Sequence, residues 1–215
     1  MNSKIIFWLM FAALTALILY FNAKYGMLRD ESVQVKKKPY SYARTQLTWW
    51  TVIVLSGFAT VILYRHEIPT FTPGVLILLG ISSATTIAAR ITDNADQEHI
   101  EADRLSQNSK GQNFLVDILS DKSGVSIHRL QSVLFNIVIG LWFINQTLAN
   151  IANSTIPMNE ILPDLEQNNL ILIGLSAGTY VALKTTENKN TSGSKSDKTT
   201  IKVDEKNEND IPPVA

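Results

Sequence analysis

The Asp, Glu, Lys, Arg and His side chains, which most often act as acids, bases or metal ligands, lie between the apolar segments of this 215-residue chain and not within them. The three histidines, His66, His99 and His128, are far apart in the sequence. The absence of cysteine excludes a disulfide framework, thiolate metal sites and thiol nucleophiles. Spacings typical of a phosphate-binding loop, a zinc site or a nucleophile elbow are also absent. We therefore expect a protein that is not an enzyme and has no cofactor or metal.

Two arginines, Arg44 and Arg129, occupy matching positions at the starts of apolar segments. A cation near the N-terminus of a helix interacts unfavourably with the helix dipole, so each arginine should have a compensating partner. Lipid phosphates, reached by extension of the side chain, are one candidate. The other is a pair of interfacial clamps, Arg44 with Asp93 and Arg129 with Glu187, each tying together the ends of one helical hairpin.

The apolar residues are concentrated in uncharged runs, which an ordinary soluble domain would not contain. Hydrophobic residues make up 46% of the chain and charged residues 18%, yet the two classes are segregated. A helix needs about 20 mostly apolar residues to cross a bilayer. The third helix should begin near Pro73, because proline suits a first turn. The runs, taken as five transmembrane helices, are residues 5–23, 45–64, 68–89, 133–151 and 170–183.

Two of these runs have alternative interpretations. The first could be a signal peptide, although it is longer than a typical signal core, and the bulky Phe21 would lie three residues before a cut at Ala23. The fifth is the shortest and by itself could be re-entrant or a buried soluble helix. The internal repeat described below favours a span.

The basic residues predict how the chain is oriented. Of the 19 Lys and Arg residues, 17 lie in residues 24–44, in residues 90–129 or from residue 184 onward. Basic loops stay in the cytoplasm. We therefore expect a multi-pass protein of the cell inner membrane, with its N-terminus outside and its C-terminus in the cytoplasm.

A two-helix unit occurs twice in the sequence. The motif S-x-x-R-x-Q occupies residues 41–46 and again 126–131, and seven of 13 positions are identical between residues 76–88 and 170–182. Each unit begins in the cytoplasm, so the two hairpins should have the same orientation and be related by an axis along the membrane normal. These paired motifs, with L-x-G-x-S-x-G-T in the second unit, resemble those of bacterial multi-span inner-membrane proteins of no known activity. The resemblance covers residues 41–187, although Ala84 replaces the glycine found at Gly178, and it implies an architecture without a mechanism.

The predicted fold is an all-α membrane protein with five transmembrane helices, the last four forming two parallel-repeat hairpins. Its segments are an N-terminal helix (1–23), a basic cytoplasmic linker (24–40), a first two-helix unit (41–93), a cytoplasmic loop (94–125), a second two-helix unit (126–187) and a disordered cytoplasmic tail (188–215).

Small residues recur at a spacing of four, which places them on one helix face where another backbone can approach closely. They could pack helices within the chain or between subunits of a homo-oligomer, leave room for a pore or a lipid, or reflect composition alone. Hydroxyl side chains at the same depth should bond to a carbonyl one turn earlier, or form a polar strip facing a pore or another helix. The small residues are Gly80, Ala84, Ala88, Gly174, Gly178 and Ala182, and the hydroxyl residues are Ser82, Thr85, Ser176 and Thr179.

The cytoplasmic loop contains a short amphipathic stripe formed by Phe114, Leu115, Ile118 and Leu119. This helix could lie on the membrane surface or dock a soluble cytoplasmic partner. It lacks the basic face that a strong lipid binder has.

These features favour a non-catalytic structural or scaffold component of the membrane, one that oligomerises or presents its loop to a partner. A subunit of an oligomeric channel or passive permease is the alternative, because pores can be lined by hydroxyl and backbone groups. The expected partners are membrane lipid, further copies of the chain and a soluble protein. The balanced charge gives no support for nucleic-acid binding.

Overall fold

The computed structural model describes residues 2–30, 37–99, 111–121 and 124–189, with the side chains of 93–99, 121 and 183–189 left out. The regular elements of the described part are helices and one antiparallel pair of two-residue strands. The elements are α1 (Ser3–Tyr25), α2 (Tyr42–Arg65), α3 (Pro73–His99), α4 (Phe114–Leu119), β1 (Ser120–Asp121), β2 (Gly124–Val125), α5 (Ile127–Ala152), a 3₁₀ turn (Met158–Glu160) and α6 (Gln167–Lys189).

The ends of the helices follow from local chemistry. The side chain of Asn2 accepts a hydrogen bond from the backbone N–H of Lys4 and caps α1, which ends at Gly26 in the left-handed conformation (φ 66°). The predicted start of α3 at Pro73 is confirmed. Ser41 and Ser126 occupy the N-cap positions of α2 and α5 with nearly identical backbone angles, but neither side chain makes the capping hydrogen bond.

Four of the described helices are long and apolar enough to cross a membrane: α1, α2, residues Pro73–Thr92 of α3, and α5. This confirms the coarse prediction of an all-helical chain with membrane-spanning character. A helix also forms at the fifth predicted run, but α6, whose side chains are described only to Ala182, is not among the four.

Helices α2 and α5 lie side by side and run in the same direction. Tyr42 at the start of α2 contacts Ser132 near the start of α5, and Arg65 at the end of α2 contacts Asn150 near the end of α5. Helix α3 packs against α2 and α6, α5 packs against α6, and α1 packs mainly against α2. The interior of this bundle is filled by buried bulky side chains, chiefly Phe7, Trp50, Ile53, Leu78, Phe143 and Ile173.

The connection between α5 and α6 folds over one end of the bundle. Ile161, Leu162 and Leu165 are buried there, and the Leu162 side chain reaches Gly57 in the middle of α2. The Asn150 amide donates to the carbonyls of Glu160 and Ile161, each at 3.1 Å. These contacts close the bundle at the end where α2 and α5 finish, which we call the closed end.

Candidate functional site

The half of the α2–α5 pair opposite the closed end holds a buried polar network, which we call the α2–α5 seam. The Trp50 indole donates to the Asn136 side-chain carbonyl (2.7 Å), and the Trp49 indole donates to the Asn136 backbone carbonyl (3.0 Å). The Asn136 amide donates in turn to the Ser132 carbonyl (2.7 Å), and the Ser132 hydroxyl is hydrogen-bonded to Tyr42. Each polar atom of Asn136 is thereby satisfied, as a buried amide in an apolar bundle requires.

A cavity of about 220 Å³ lies beside the seam, between α2, α5 and α4. Its wall is formed by apolar atoms, and no lining residue in the described part of the chain is Asp, Glu, Lys, Arg or His. An apolar cavity of roughly 150 Å³ is already large enough to bind benzene. The side chains that define it best are Gln46, Trp49, Phe114, Leu115, Val133 and Ile137.

Gln46 is the polar residue of this cavity whose hydrogen-bonding capacity is unused. Its side chain is only 4% exposed, and neither Nε2 nor Oε1 has a partner among the described residues. A buried amide without partners is destabilising, by about 1–3 kcal/mol for an unpaired group. The matching residue of the second unit, Gln131, is exposed and can bond outside the bundle. The two copies of the motif therefore place the same amide in different surroundings.

Helix α4 is held against the start of α2 by a compact arrangement that we call the α4 cap, residues 37–41 and 111–121. The Lys37 amine donates to the Gln112 carbonyl (2.8 Å), and the Asp117 carboxylate accepts from the backbone N–H groups of Tyr40 (3.2 Å) and Gln112 (2.8 Å). The rings of Tyr40 and Phe114 pack edge to face, with centroids 5.3 Å apart. The short helix is therefore fixed by contacts that the sequence pattern alone did not indicate.

The predicted apolar stripe of α4 is divided by this arrangement. Ile118 is buried against α2 and α5, and Leu119 is partly buried. Phe114 contacts Tyr40, and Leu115 remains 63% exposed. The part of the stripe that can face another molecule is thus Leu115 with one side of Phe114.

The arginines of the predicted clamps make contacts other than those expected from the sequence. Arg44 donates to the Met27 carbonyl at 3.4 Å. Arg129 donates to the Ser120 carbonyl, and its guanidinium lies 5.2 Å from the centre of the Tyr180 ring. The side chains of Asp93 and Glu187 lie outside the described ones, so the two clamps stay predictions. Arg129 therefore connects α5 to the end of the α4 cap and to α6.

The small residues of α3 and α6 lie mostly on the outer surface of the bundle. A Cβ added at Gly80 or Gly178 would meet no atom of the described residues within 4 Å, whereas one at Gly174 would lie 3.5 Å from the end of the Ile81 side chain. Ala84 and Ala182 are exposed, and Ala88 is partly buried. The hydroxyls of Thr85 and Thr179 bond to the carbonyls one turn earlier, as expected, while the Ser82 hydroxyl is buried and has no partner among the residues that the structure describes.

Two charged residues at the closed end satisfy helix termini that are distant in sequence. Arg65 donates to the carbonyls of Asn150 (3.1 Å), Ile151 (3.3 Å) and Asn153 at the end of α5, where a cation is favoured by the helix dipole. The Asp164 carboxylate accepts from the Gly74 N–H (2.8 Å) in the first turn of α3, where an anion is favoured. Neither role could be predicted from the sequence, because a charged residue between two apolar runs does not reveal which helix terminus it meets.

The described residues contain no group of three or more His, Asp or Glu residues that could hold a metal ion. Comparison with protein-family models, with curated proteins and with solved structures finds no match to this chain. The arrangement offers an apolar cavity with a single unsatisfied amide and a fixed amphipathic helix beside it. Such a site can hold an apolar molecule or present a surface.

Proposed function

We propose that this protein is an integral component of a bacterial inner membrane that acts without catalysis, as a scaffold presenting the α4 cap to a soluble cytoplasmic partner. The observation that carries the proposal is the attachment of the cap. Main-chain and side-chain hydrogen bonds join residues 37–41 to residues 111–121, and Ile118 anchors α4 on two membrane helices. A surface fixed in this way loses little conformational entropy when a partner binds.

The proposed topology has five spans, with the N-terminus outside and the C-terminus in the cytoplasm. A fifth span at α6 is supported by its 23-residue length, about 34 Å at 1.5 Å per residue, and by its packing along α3. Two repeats with the same orientation in the membrane are supported by matched local features. Ser41 and Ser126 have the same extended backbone, and Thr85 and Thr179 make the same bond one turn back.

Assembly into a homo-oligomer through the small-residue faces is part of the same proposal. Gly80, Ala84 and Gly178 lie on exposed helix surfaces, where another helix could approach closely. Crosslinking between single cysteines at Gly80 and at Gly178 would test it, because the native chain contains no cysteine that could interfere. Absence of a dimer band at both positions, with a band at an unrelated exposed position, would count against this interface.

A channel or passive permease is the second candidate and is disfavoured by the filled interior. Trp50 and Phe143 meet edge to face in the middle of the bundle, and Leu162 closes the space beside Gly57. A pore would therefore have to lie between subunits. Purified protein in liposomes should give no conductance or dye release if the scaffold proposal is right. Reproducible single-channel currents would replace it with the channel.

The scaffold proposal itself is tested by crosslinking in native membranes followed by mass spectrometry. Leu115→Glu should remove recovery of a cytoplasmic protein, because it places a charge in the centre of the presented surface. Val125→Glu is the matched control, since Val125 is 66% exposed, close to the 63% of Leu115, but lies on β2 outside the cap. If both variants recover the same proteins as the native chain, the cap is not the docking surface.

A further inference from the structure

We infer that the cavity beneath α4 is a binding site for one acyl chain of a membrane phospholipid, with the Gln46 carboxamide hydrogen-bonded to the ester group of that chain. The inference rests on the proposed function only in requiring that the helices lie in a bilayer. It does not depend on a soluble partner or on oligomerisation.

The size and chemistry of the cavity fit a hydrocarbon chain. Its 220 Å³ exceed the volume that accommodates a benzene molecule, and its exposed wall is apolar. Charged and zwitterionic head groups are excluded from the cavity, because no Asp, Glu, Lys, Arg or His among the described residues lines it. The occupant must therefore be an apolar segment with at most a neutral polar group.

The rim of the cavity is continuous with the lipid-facing surface of α5. Ile137 belongs to the rim, and the same helix carries the exposed side chains Leu134, Val138 and Leu141 on either side of it. A phospholipid chain lying along this strip can enter the cavity without crossing a polar surface. This continuity favours a lipid of the surrounding bilayer over a free ligand from the cytoplasm.

The depth of Gln46 matches the ester region of a lipid. Gln46 lies four residues after the start of α2, about 6 Å along the helix axis. Acyl esters lie just beneath the head groups, so the carbonyl oxygen of an ester held in the cavity can accept a hydrogen bond from Nε2. The terminal torsion of glutamine adopts a broad range of angles. The side chain, which already lines the cavity, can therefore turn Nε2 towards it.

The unpaired state of Gln46 is what separates this site from ordinary lipid contact. Its neighbour Asn136 also lines the cavity, yet every polar atom of that side chain is bonded within the seam. Buried polar groups in proteins are almost always partnered. A neutral acceptor supplied by the occupant would satisfy the Gln46 donor in the same way.

Tryptophan quenching by brominated phospholipids tests the proposal directly. In a Trp8→Phe, Trp142→Phe background, which removes two exposed indoles, Trp49 at the cavity and the buried Trp50 remain. Liposomes made of phosphatidylglycerol brominated in the first half of the acyl chain should quench this emission. Val133→Phe, which fills the cavity, should reduce the quenching at least twofold. Leu175→Phe, on the exposed surface of α6, where none of the residues lining the cavity lies, should leave it unchanged.

Equal quenching in the Val133→Phe and Leu175→Phe proteins would overturn the proposal, because the lipid would then lie only on the outer surface. Native mass spectrometry gives a second measurement for proteins extracted in mild detergent. The native chain should retain one phospholipid, and Gln46→Leu, which is compatible with folding in an apolar site, should lower the retained fraction severalfold. Retention equal to that of the native chain would show that Gln46 does not bind the ester.

Discussion

Arg65 and Gln46 are polar residues towards opposite ends of α2, and the structure surrounds them differently. At the closed end Arg65 donates to carbonyls of α5 and of the following loop. At the other end Gln46 is almost completely buried and has no partner among the described residues. The comparison shows that the charged side chain at the closed end is bonded within the chain. The other end leaves room and hydrogen-bonding capacity for another molecule.

The largest effect is expected from Gly74→Ala at the closed end. A Cβ at this position would lie 2.7 Å from the backbone nitrogen of Leu165 and would collide with the Asp164 carboxylate. The substitution should lower the free energy of unfolding by about 3 kcal/mol, from overpacking and a lost hydrogen bond. Unfolding by SDS in mixed micelles measures it. Gly80→Ala on the same helix is the control and should be neutral or slightly stabilising, because nothing lies within 4 Å of its added Cβ.

Arg65→Met should have the next largest effect and lower the free energy of unfolding by about 2 kcal/mol in the same assay. The methionine retains much of the apolar stem but leaves the last carbonyls of α5 without their donor. Lys4, like Arg65, lies outside the three segments that hold the other basic residues, and Lys4→Met should change stability by less than about 0.5 kcal/mol. Equal losses in the two variants would mean that Arg65 acts through general charge and not through its contacts.

Asn136→Ala tests the seam beside the cavity and should lower the free energy of unfolding by about 1.5 kcal/mol. The Trp50 indole would lose its acceptor while staying buried, whereas Trp49 would keep the backbone carbonyl at position 136. Gln131→Ala, an exposed polar residue on the same helix, is the control. A near-zero change for Asn136→Ala would indicate that the indole finds another acceptor.

The smallest effect, and one of opposite sign, is expected for Gln46→Leu. Replacement of an unpaired buried amide by an apolar side chain should raise the free energy of unfolding by about 1 kcal/mol in lipid-free detergent. Gln131→Leu should not, because Gln131 is exposed. Addition of phospholipid should narrow the gap between native and Gln46→Leu proteins if the lipid satisfies the amide. A destabilised Gln46→Leu protein would remove the contrast between the two ends.

The positions of the main helices could be predicted from sequence with little ambiguity. Uncharged runs predicted the apolar parts of α1, α2, α3 and α5, because a backbone in lipid must satisfy its hydrogen bonds locally. Pro73 predicted the start of α3, since proline lacks an N–H that the first turn does not need. These signals depend only on residues that are near one another in the sequence, which is why the helices could be predicted from it.

The candidate site was much less predictable. The spacing of apolar residues predicted the stripe of α4. It did not predict that Ile118 would be buried while Leu115 stayed exposed. The S-x-x-R-x-Q motif marked Gln46 and Gln131 as equivalents, yet one is buried and the other exposed. The predicted tail, residues 188–215, lies almost wholly outside the described residues, so its disorder stays a prediction.

The sequence alone determined that the chain is helical, where its apolar helices lie, and that their central segments carry no ionisable side chain. The tertiary structure alone decided which polar groups meet: Arg65 with the end of α5, Asp164 with the start of α3, and Gln46 with an apolar cavity. The physical reason is range. Helix formation is set by hydrogen bonds four residues apart, whereas these contacts join positions some 90 residues apart, and only packing brings such positions together.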